Sequence, residues 1–301
     1  MQGLVTPAPA KINLVLRVLE RRTDGFHDID TLFQAIDLAD QVEVSLTDGS
    51  IDLEVHGPDL GPVEQNLAWR AAEGFLSAAG STRGVRIVLH KAIPAGGGLG
   101  GGSSDAGAVL RALDTLIGGV DPVAVARLAG RLGSDVPFFL GPRPLAHGAG
   151  RGEVLTDCPA LPARELLIGL PPVHVATGPA YGALAAARSG GAPISGPMVP
   201  EDRPTSWSEV AALAENDFES FAKASHPEVE RTLEAFRGCD PELAMLSGSG
   251  AACFAVLREG AAAAALAGEL TDRLGWSVVA SRTLTEWPES GRESTSESRR
   301  G

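Results

Sequence analysis

An α+β fold of two layered domains is predicted for this 301-residue chain, and three observations predict it. Stretches with apolar residues at period two recur along the chain, interspersed with stretches of helical period. Helices come in pairs between the strand patterns rather than in strict alternation with them, which disfavours a single doubly wound sheet. With 44% apolar and 21% charged residues the composition is that of a folded globular protein, and the length suffices for two cores or one large one.

The elements follow in order. Lys11 to Leu19 places Ile12, Leu14, Leu16 and Val18 on one face, a half-buried strand. Val42 to Leu46 and Ile51 to Val55 repeat the pattern. Asn66 then caps an alanine-rich helix that closes at Gly80, with Leu67, Ala71 and Phe75 on one side. Val85, Ile87 and Leu89 form a strand that runs into the glycine-rich stretch Pro94 to Ala106, and Val109, Leu110, Leu113 and Leu116 continue at helical spacing. A helix from Pro122 to Leu132 exits through Gly133 to Pro137 into the apolar run Phe138 to Leu140. Beyond a glycine- and proline-dense stretch come a strand at Leu166 to Leu170, a helix near Tyr181, a loose segment from Gly190 to Pro204, and helices around Val210 and Val229. Strands Ala244–Leu246 and Ala252–Leu257 flank a turn at Ser247 to Gly250, and a helix from Ala261 to Arg273 precedes a last strand, Trp276–Ala280. Residues 1–155 and 156–287 are assigned to the two domains. The tail 288–301, mostly Ser, Glu and Arg, is expected to be disordered.

Several function classes are disfavoured. The net charge is -13 and basic residues form no stripe, so nucleic acid is an unexpected partner. No apolar run reaches the ~18 residues of a bilayer span, and Met1 to Ala10 lacks the basic-then-apolar pattern of a secretion signal. Three cysteines without a C-x-x-C spacing suggest neither a disulfide framework nor a zinc site, which fits a reducing cytoplasm.

The glycine loop carries the chemistry. Six glycines among the seven residues Gly96 to Gly102 would each cost roughly 0.5–1 kcal/mol in regular structure, so a ligand approaching the backbone is the better explanation. Free of Cβ atoms, successive N–H groups can converge on one anion, and the helix opening at Ser103 or Ser104 adds its positive end. A flexible linker is the plain alternative, but linkers rarely join a clear strand to a clear helix. The pattern is not a Walker loop, because no lysine lies between Gly96 and Ser104. Gly96, Gly98 and Gly101 formally meet the dinucleotide spacing, but Asp121, about 20 residues on, lies between helices rather than at a strand end. A nucleoside triphosphate is the preferred ligand over a dinucleotide.

Four motifs in order, Pro9 to Leu14 (PAKINL), the loop itself, Gly133 to Pro137 (GSDVP) and Leu246 to Ala252 (LSGSGAA), resemble those of the GHMP kinases. Most members place hydroxyl residues directly after Gly-Leu-Gly. Here Gly101 and Gly102 intervene before Ser103 and Ser104, as in the branch whose acceptor is a cytidine-diphosphate-linked methylerythritol. The resemblance implies a ribosomal-protein-S5-domain-2-like N-terminal domain with a ferredoxin-like C-terminal one. The implied activity is transfer of the γ-phosphoryl of ATP to the polyol's tertiary 2-hydroxyl in non-mevalonate isoprenoid synthesis.

The resemblance also implies roles for residues that composition leaves open. Lys11 alone would read as a solvated strand-edge cation and Asp135 as a turn or cap residue; in the family the matching pair is catalytic, the carboxylate accepting the hydroxyl proton beside the ammonium. Asn66, Leu67 and Lys91 correspond to the purine end of the ATP site, and Pro94, Ala95, Gly96, Gly97, Gly98, Leu99, Gly100, Gly101, Gly102, Ser103 and Ser104 to its phosphates. Asn66 is equally a natural helix cap. Asn13, Phe26, His27, Thr177 and Tyr181 correspond to the acceptor site, with His27 reading cytosine between aromatic rings; phenylalanine stands at 26 where the family often has tyrosine. Mg²⁺ is expected to shield the phosphates on so acidic a chain. Its ligands are not legible, Ser104 and Asp105 being candidates. The remaining histidines form no metal constellation. Small-molecule substrates and a monomer or weak homodimer complete the expectation.

Overall fold

The computed structural model describes residues 3–188 and 199–292. Two long strands, β1 (Gly3–Arg21) and β2 (His27–Thr47), form an antiparallel hairpin around which the molecule is organised. Strand β3 (Ile51–His56), helix α1 (Leu67–Ala79), strand β4 (Gly84–His90), and helices α2 (Gly101–Leu116) and α3 (Pro122–Leu132) follow. Strands β5 (Leu145–Ala149) and β6 (Val154–Asp157) complete the first sheet, whose main path is β3-β4-β2-β1, with β5 on β2 and β6 on β5. The second half comprises β7 (Glu165–Gly169), α4 (Thr177–Arg188), α5 (Trp207–Leu213), β8 (Glu215–Asn216), α6 (Glu219–Ser225), α7 (Pro227–Arg237), β9 (Leu243–Leu246), β10 (Cys253–Val256), α8 (Ala263–Leu274), β11 (Val278–Arg282) and β12 (Gly291–Arg292). Its antiparallel sheet has the order β11-β7-β10-β9.

The hairpin changes partners along its length. Its outer part, with Val42 and Val44, packs with β4 under α1–α3, burying Phe75, Val109, Leu113 and Leu128. Past a register shift between Pro9 and Lys11, Ile12, Leu14, Leu32 and Ile36 pack instead against Ile168, Phe254 and Val256 of the second sheet. That sheet's other face presents Leu167, Cys253 and Ala255 to α7 and α8. Because β7 and β10 are buried on both faces, their sequences are continuous apolar runs rather than alternating ones. Lys11 stands at the irregularity where the hairpin passes from one core to the other.

The structure departs from the sequence reading at several elements. The apolar run Phe138 to Leu140, which the sequence left unassigned, belongs to a 3-10 turn, Val136–Leu140. Residues 27–41 of β2 gave no period-two signal because Asp30, Thr31, Gln34 and Asp40 are buried polar residues within it, each hydrogen-bonded. β5 and β6 were hidden by the glycines and prolines around them, and β6 runs two residues past the boundary placed at 155. The tail is not disordered from Pro288. Gly291–Arg292 pairs with Leu4 and Val5 of β1, and the Ser290 hydroxyl lies 3.1 Å from that of Thr6. These residues lack apolar anchors yet find backbone partners on an open strand edge. Residues 293–301, and most of the loose segment from Gly190 to Pro204, lie outside the described residues.

Candidate active site

The glycine loop leaves β4 and enters α2 with Gly96, Gly98 and Gly100 all at positive φ, between 75° and 78°. This backbone is left-handed and strongly favours glycine. Space is as restrictive as conformation: a Cβ on Gly98 would lie 2.2 Å from the Ser247 carbonyl oxygen, and one on Gly100 would lie 2.9 Å from the Phe139 ring and 3.1 Å from the Lys11 side chain. The loop is braced from the second half of the chain. Ser247 Oγ donates to Gly98 O at 3.1 Å and the Ala252 amide donates to Gly97 O at 3.1 Å. Asn216 holds the bracing turn in place by donating through Nδ2 to Leu246 O and Gly248 O, both at 2.8 Å.

Lys11 and Asp135 come together beside this loop. Lys11 Nζ lies 3.4 Å from Asp135 Oδ2, with the lysine side chain buried and the carboxylate 31% exposed toward the cleft. Two ties fix the ammonium: the Lys11 amide donates to Leu99 O at 2.9 Å, and Nζ donates to Asn13 Oδ1 at 2.6 Å. Asn13 Nδ2 in turn donates to Thr31 Oγ1 at 2.8 Å. Each end of the Asn13 amide thus has a partner in a chain that orients Lys11, while the residue also lines the cleft. Asp135 sits at the mouth of the 3-10 turn, and Arg111 of α2 braces that turn by donating to Phe139 O and, at 2.8 Å, to Pro7 O of the strand that carries Lys11. Burial lowers the Arg111 pKa to about 10, still far above neutrality, so this strut stays cationic.

One cleft of about 530 Å³ takes in Lys11, Asn13, Asn66, Leu67, Lys91, the loop from Pro94 to Ser103, Asp135, Thr177 and Tyr181. A second, also of about 530 Å³, is lined by Phe26, His27, Arg151, Thr177 and Tyr181. Thr177 and Tyr181 border both, so the two clefts meet beside the Lys11–Asp135 pair. His27 stacks on Tyr181 with ring centroids 4.8 Å apart and planes 19° from parallel. Phe26 is 54% exposed, an unusual state for that residue type. Burial, with Arg21 and Arg188 nearby, lowers the His27 pKa and keeps the ring neutral at pH 7, able to donate from one nitrogen and accept at the other. Burial raises the Tyr181 pKa, and the nearby negative charge of Asp135 raises it further.

Not every expected residue is free to act. Ser104 is fully buried: its hydroxyl donates to Pro9 O at 2.7 Å and its amide to Gly100 O at 2.8 Å, so neither faces a phosphate. Lys91, expected at the purine end, has its ammonium buried between Asp40 and Asp105, 2.5 Å from the latter. Burial raises Asp105 to about 7, with Lys91 opposing and Asp40 adding to the shift. Neither Ser104 nor Asp105 fits a Mg²⁺ ligand, and among the described residues no group of three or more His, Cys, Asp or Glu side chains could hold a metal. Asn66 caps α1 as its residue type suggests, its Oδ1 accepting from the Ala68 amide at 2.9 Å, while the residue also lines the cleft. Sequence reasoning missed Arg151, whose guanidinium lies 5.0 Å from the Phe26 ring centroid, and Ser249, whose hydroxyl meets that of Thr177 at 2.9 Å. Ser249 lay within a recognised motif but was read as turn structure; Arg151, in a Gly-Arg-Gly turn, gave no signal.

A glycine-rich loop at a helix start, braced across two sheets and set beside a buried ammonium paired with a part-exposed carboxylate, defines a phosphotransferase of the GHMP type. Family models agree: "GHMP kinases N terminal domain" matches residues 66–141 and "GHMP kinases C terminal" residues 203–274. The 4-diphosphocytidyl-2-C-methyl-D-erythritol kinase of Anaeromyxobacter dehalogenans is 41% identical over 95% of this chain and 92% of its own, and that of Deinococcus radiodurans 39% over 91% of each. A crystal structure of 4-(cytidine 5'-diphospho)-2C-methyl-D-erythritol kinase superposes with a TM-score of 0.73 at 37% identity, covering 93% of this chain and 98% of that one. Homoserine kinase from Cytophaga hutchinsonii shares the fold, with a TM-score of 0.69 at 17% identity over 97% of each chain. The chain belongs to the GHMP kinases, and within them to the 4-diphosphocytidyl-2-C-methyl-D-erythritol kinases. No helix among the described residues is long and apolar enough to cross a membrane.

Proposed function

We propose that the chain transfers the γ-phosphoryl group of ATP to the 2-hydroxyl of 4-diphosphocytidyl-2-C-methyl-D-erythritol, a step of isoprenoid precursor synthesis. The observation that carries this reading is the meeting of the two clefts at the Lys11–Asp135 pair, 3.4 Å apart. An ATP whose phosphates lie along Gly96 to Ser103 would present its γ end to that pair, with its base toward Asn66 and Leu67. From the other side, cytosine would stack against Phe26 and Tyr181 and be read by neutral His27, leaving the diphosphate near Arg151 and the polyol at Asp135. Asp135 then accepts the hydroxyl proton, and the Lys11 ammonium, held by Asn13, stabilises the alkoxide and the phosphoryl group in flight. Positioning and charge neutralisation supply the remaining acceleration.

Lys91 acts at a distance in this reading, fixing the start of α2 through Asp105 rather than touching the purine. Mg²⁺ would arrive on the nucleotide's own phosphates, since neither candidate side chain is free to ligate it. A cytoplasmic setting suits three cysteines that are all unpaired. The test is a product assay with ATP and the diphosphocytidyl polyol, run beside homoserine and mevalonate, together with a calorimetric titration of CDP. Transfer to the cytidine substrate alone, with CDP binding, is expected; turnover of the other alcohols without CDP binding would overturn the assignment.

A further inference from the structure

A third cleft, of about 1030 Å³, lies where α1 crosses α3, sharing only Arg151 with the clefts just described. The crossing is close: a Cβ on Gly74 of α1 would meet the Leu128 side chain of α3 at 2.5 Å. Four arginines line it, Arg70, Arg127, Arg131 and Arg151, against two glutamates, Glu73 and Glu153. Glu153 is already taken by Arg151, at 3.4 Å. Arg70, Arg127 and Arg131 have no ion pair, side-chain hydrogen bond or ring partner among the described residues, whereas most other described arginines are engaged. Their arrangement is unfavourable for the empty protein, because Arg127 and Arg131 stand at i and i+4 on one helix, where like charges repel. Clustered unpaired guanidiniums on a chain of net charge -13 are not explained by solubility.

The cleft is also apolar in part. Val123, 55% exposed, shares the lining with Ala126, Leu128, Leu132 and Pro137. Guanidinium forks match phosphate oxygens bidentately, and an apolar floor between them favours a ligand with a short hydrocarbon portion. We infer that this cleft is a second ligand site, selective for a small phosphate or diphosphate ester with a short apolar chain. Leu132 and Pro137 bracket the turn that carries Asp135, so a ligand seated here touches both approaches to the reacting carboxylate.

The test is calorimetric titration of the full chain, its nucleotide site saturated with a non-hydrolysable ATP analogue and its acceptor site with CDP, using inorganic pyrophosphate and isopentyl diphosphate as probes. One equivalent of isopentyl diphosphate is expected to bind, at least fivefold more tightly than pyrophosphate and more weakly as salt rises. In the Arg127→Ser/Arg131→Ser variant its dissociation constant should rise tenfold or more, with kcat and both KM values measured without the probe unchanged. Absence of binding to the wild-type chain, or binding that survives the double substitution, overturns the site. Equal affinity for the two probes overturns the assignment of an amphiphilic ligand. These readouts are independent of which alcohol the kinase phosphorylates.

Discussion

Replacing Asp135 by asparagine tests the proposed reacting pair with little change of shape. At 3.4 Å the Lys11–Asp135 attraction amounts to about 5 kcal/mol at an effective dielectric of ~20 and about 1 kcal/mol at ~80. With the carboxylate a third exposed, the pair's contribution to stability belongs near the lower limit. Lys11 also keeps Asn13 as a partner, so the variant should lose only about 1 kcal/mol of the roughly 5–15 that holds a protein folded. Catalysis should respond on another scale. Loss of a positioned general base costs about 10²–10⁴ in rate, or roughly 3–5 kcal/mol of barrier. Asparagine retains a hydrogen-bond acceptor but cannot take the proton. The expected outcome, read by ADP release with the diphosphocytidyl polyol, is a kcat at least a hundredfold lower, with the dissociation constant of a non-hydrolysable ATP analogue within threefold of wild type. Turnover within tenfold of wild type would refute the assignment of Asp135 as the base.

Three other perturbations separate the parts of the site. Phe26→Ala removes one stacking face, worth about 1–3 kcal/mol for a base on an aromatic ring, so KM for the cytidine substrate should rise five- to a hundredfold while KM for ATP stays put; a shift in the ATP value instead would contradict the two-cleft arrangement. Gly98→Ala adds a methyl group 2.2 Å from the Ser247 carbonyl at a backbone of φ 78°, which forces the loop off its brace. Thermal melting should fall and ATP affinity drop by tenfold or more, whereas wild-type affinity would mean the loop grips nothing. Asp105→Asn reports on the buried charge cluster through pH. An unfolded aspartate ionises near about 4 and the folded Asp105 only at about 7, so between those values the folded chain binds the extra proton and wild-type stability falls as pH rises. The variant lacks that loss and should gain on wild type in melting temperature from about pH 4 to about pH 8; a difference that does not change with pH would show that Asp105 is ionised throughout.

The order of elements was legible because its signals are local. Asn66 capping α1, glycine closing that helix at Gly80, and proline opening α3 are each decided within a few residues. The glycine loop announced itself for the same reason, since backbone that only glycine tolerates leaves a mark in composition. What stayed hidden depends on residues far apart in sequence. Asp40 and Asp105 capture Lys91 across 51 and 14 positions, and nothing near Lys91 signals it. Pro9 O captures the Ser104 hydroxyl across 95. Strand β12 exists only because the edge of β1 was open to it. Lys11 is an intermediate case: its spacing in β1 predicts a strand position, but its burial follows from the chain crossing between two cores at that point.

That crossing bears on how the two halves work together. The glycine loop lies entirely within residues 94–104, yet its carbonyls at Gly97 and Gly98 are held by Ala252 and Ser247, about 150 residues later. Lys11 and Asp135 belong to the first half, but the cleft they line is closed in part by Thr177 and Tyr181 of the second. The hairpin residues beside Lys11 are buried against the second sheet rather than against the helices of the first. A chain cut after residue 157 would keep the glycines, the ammonium and the carboxylate, but expose Ile12, Leu14, Leu32 and Ile36 to water and release the loop from its brace. On the proposed reading, nucleotide grip is a property of the assembled pair of sheets, and the fragment 1–157 should fail to bind ATP in a calorimetric titration even though it carries nearly every residue proposed to contact it.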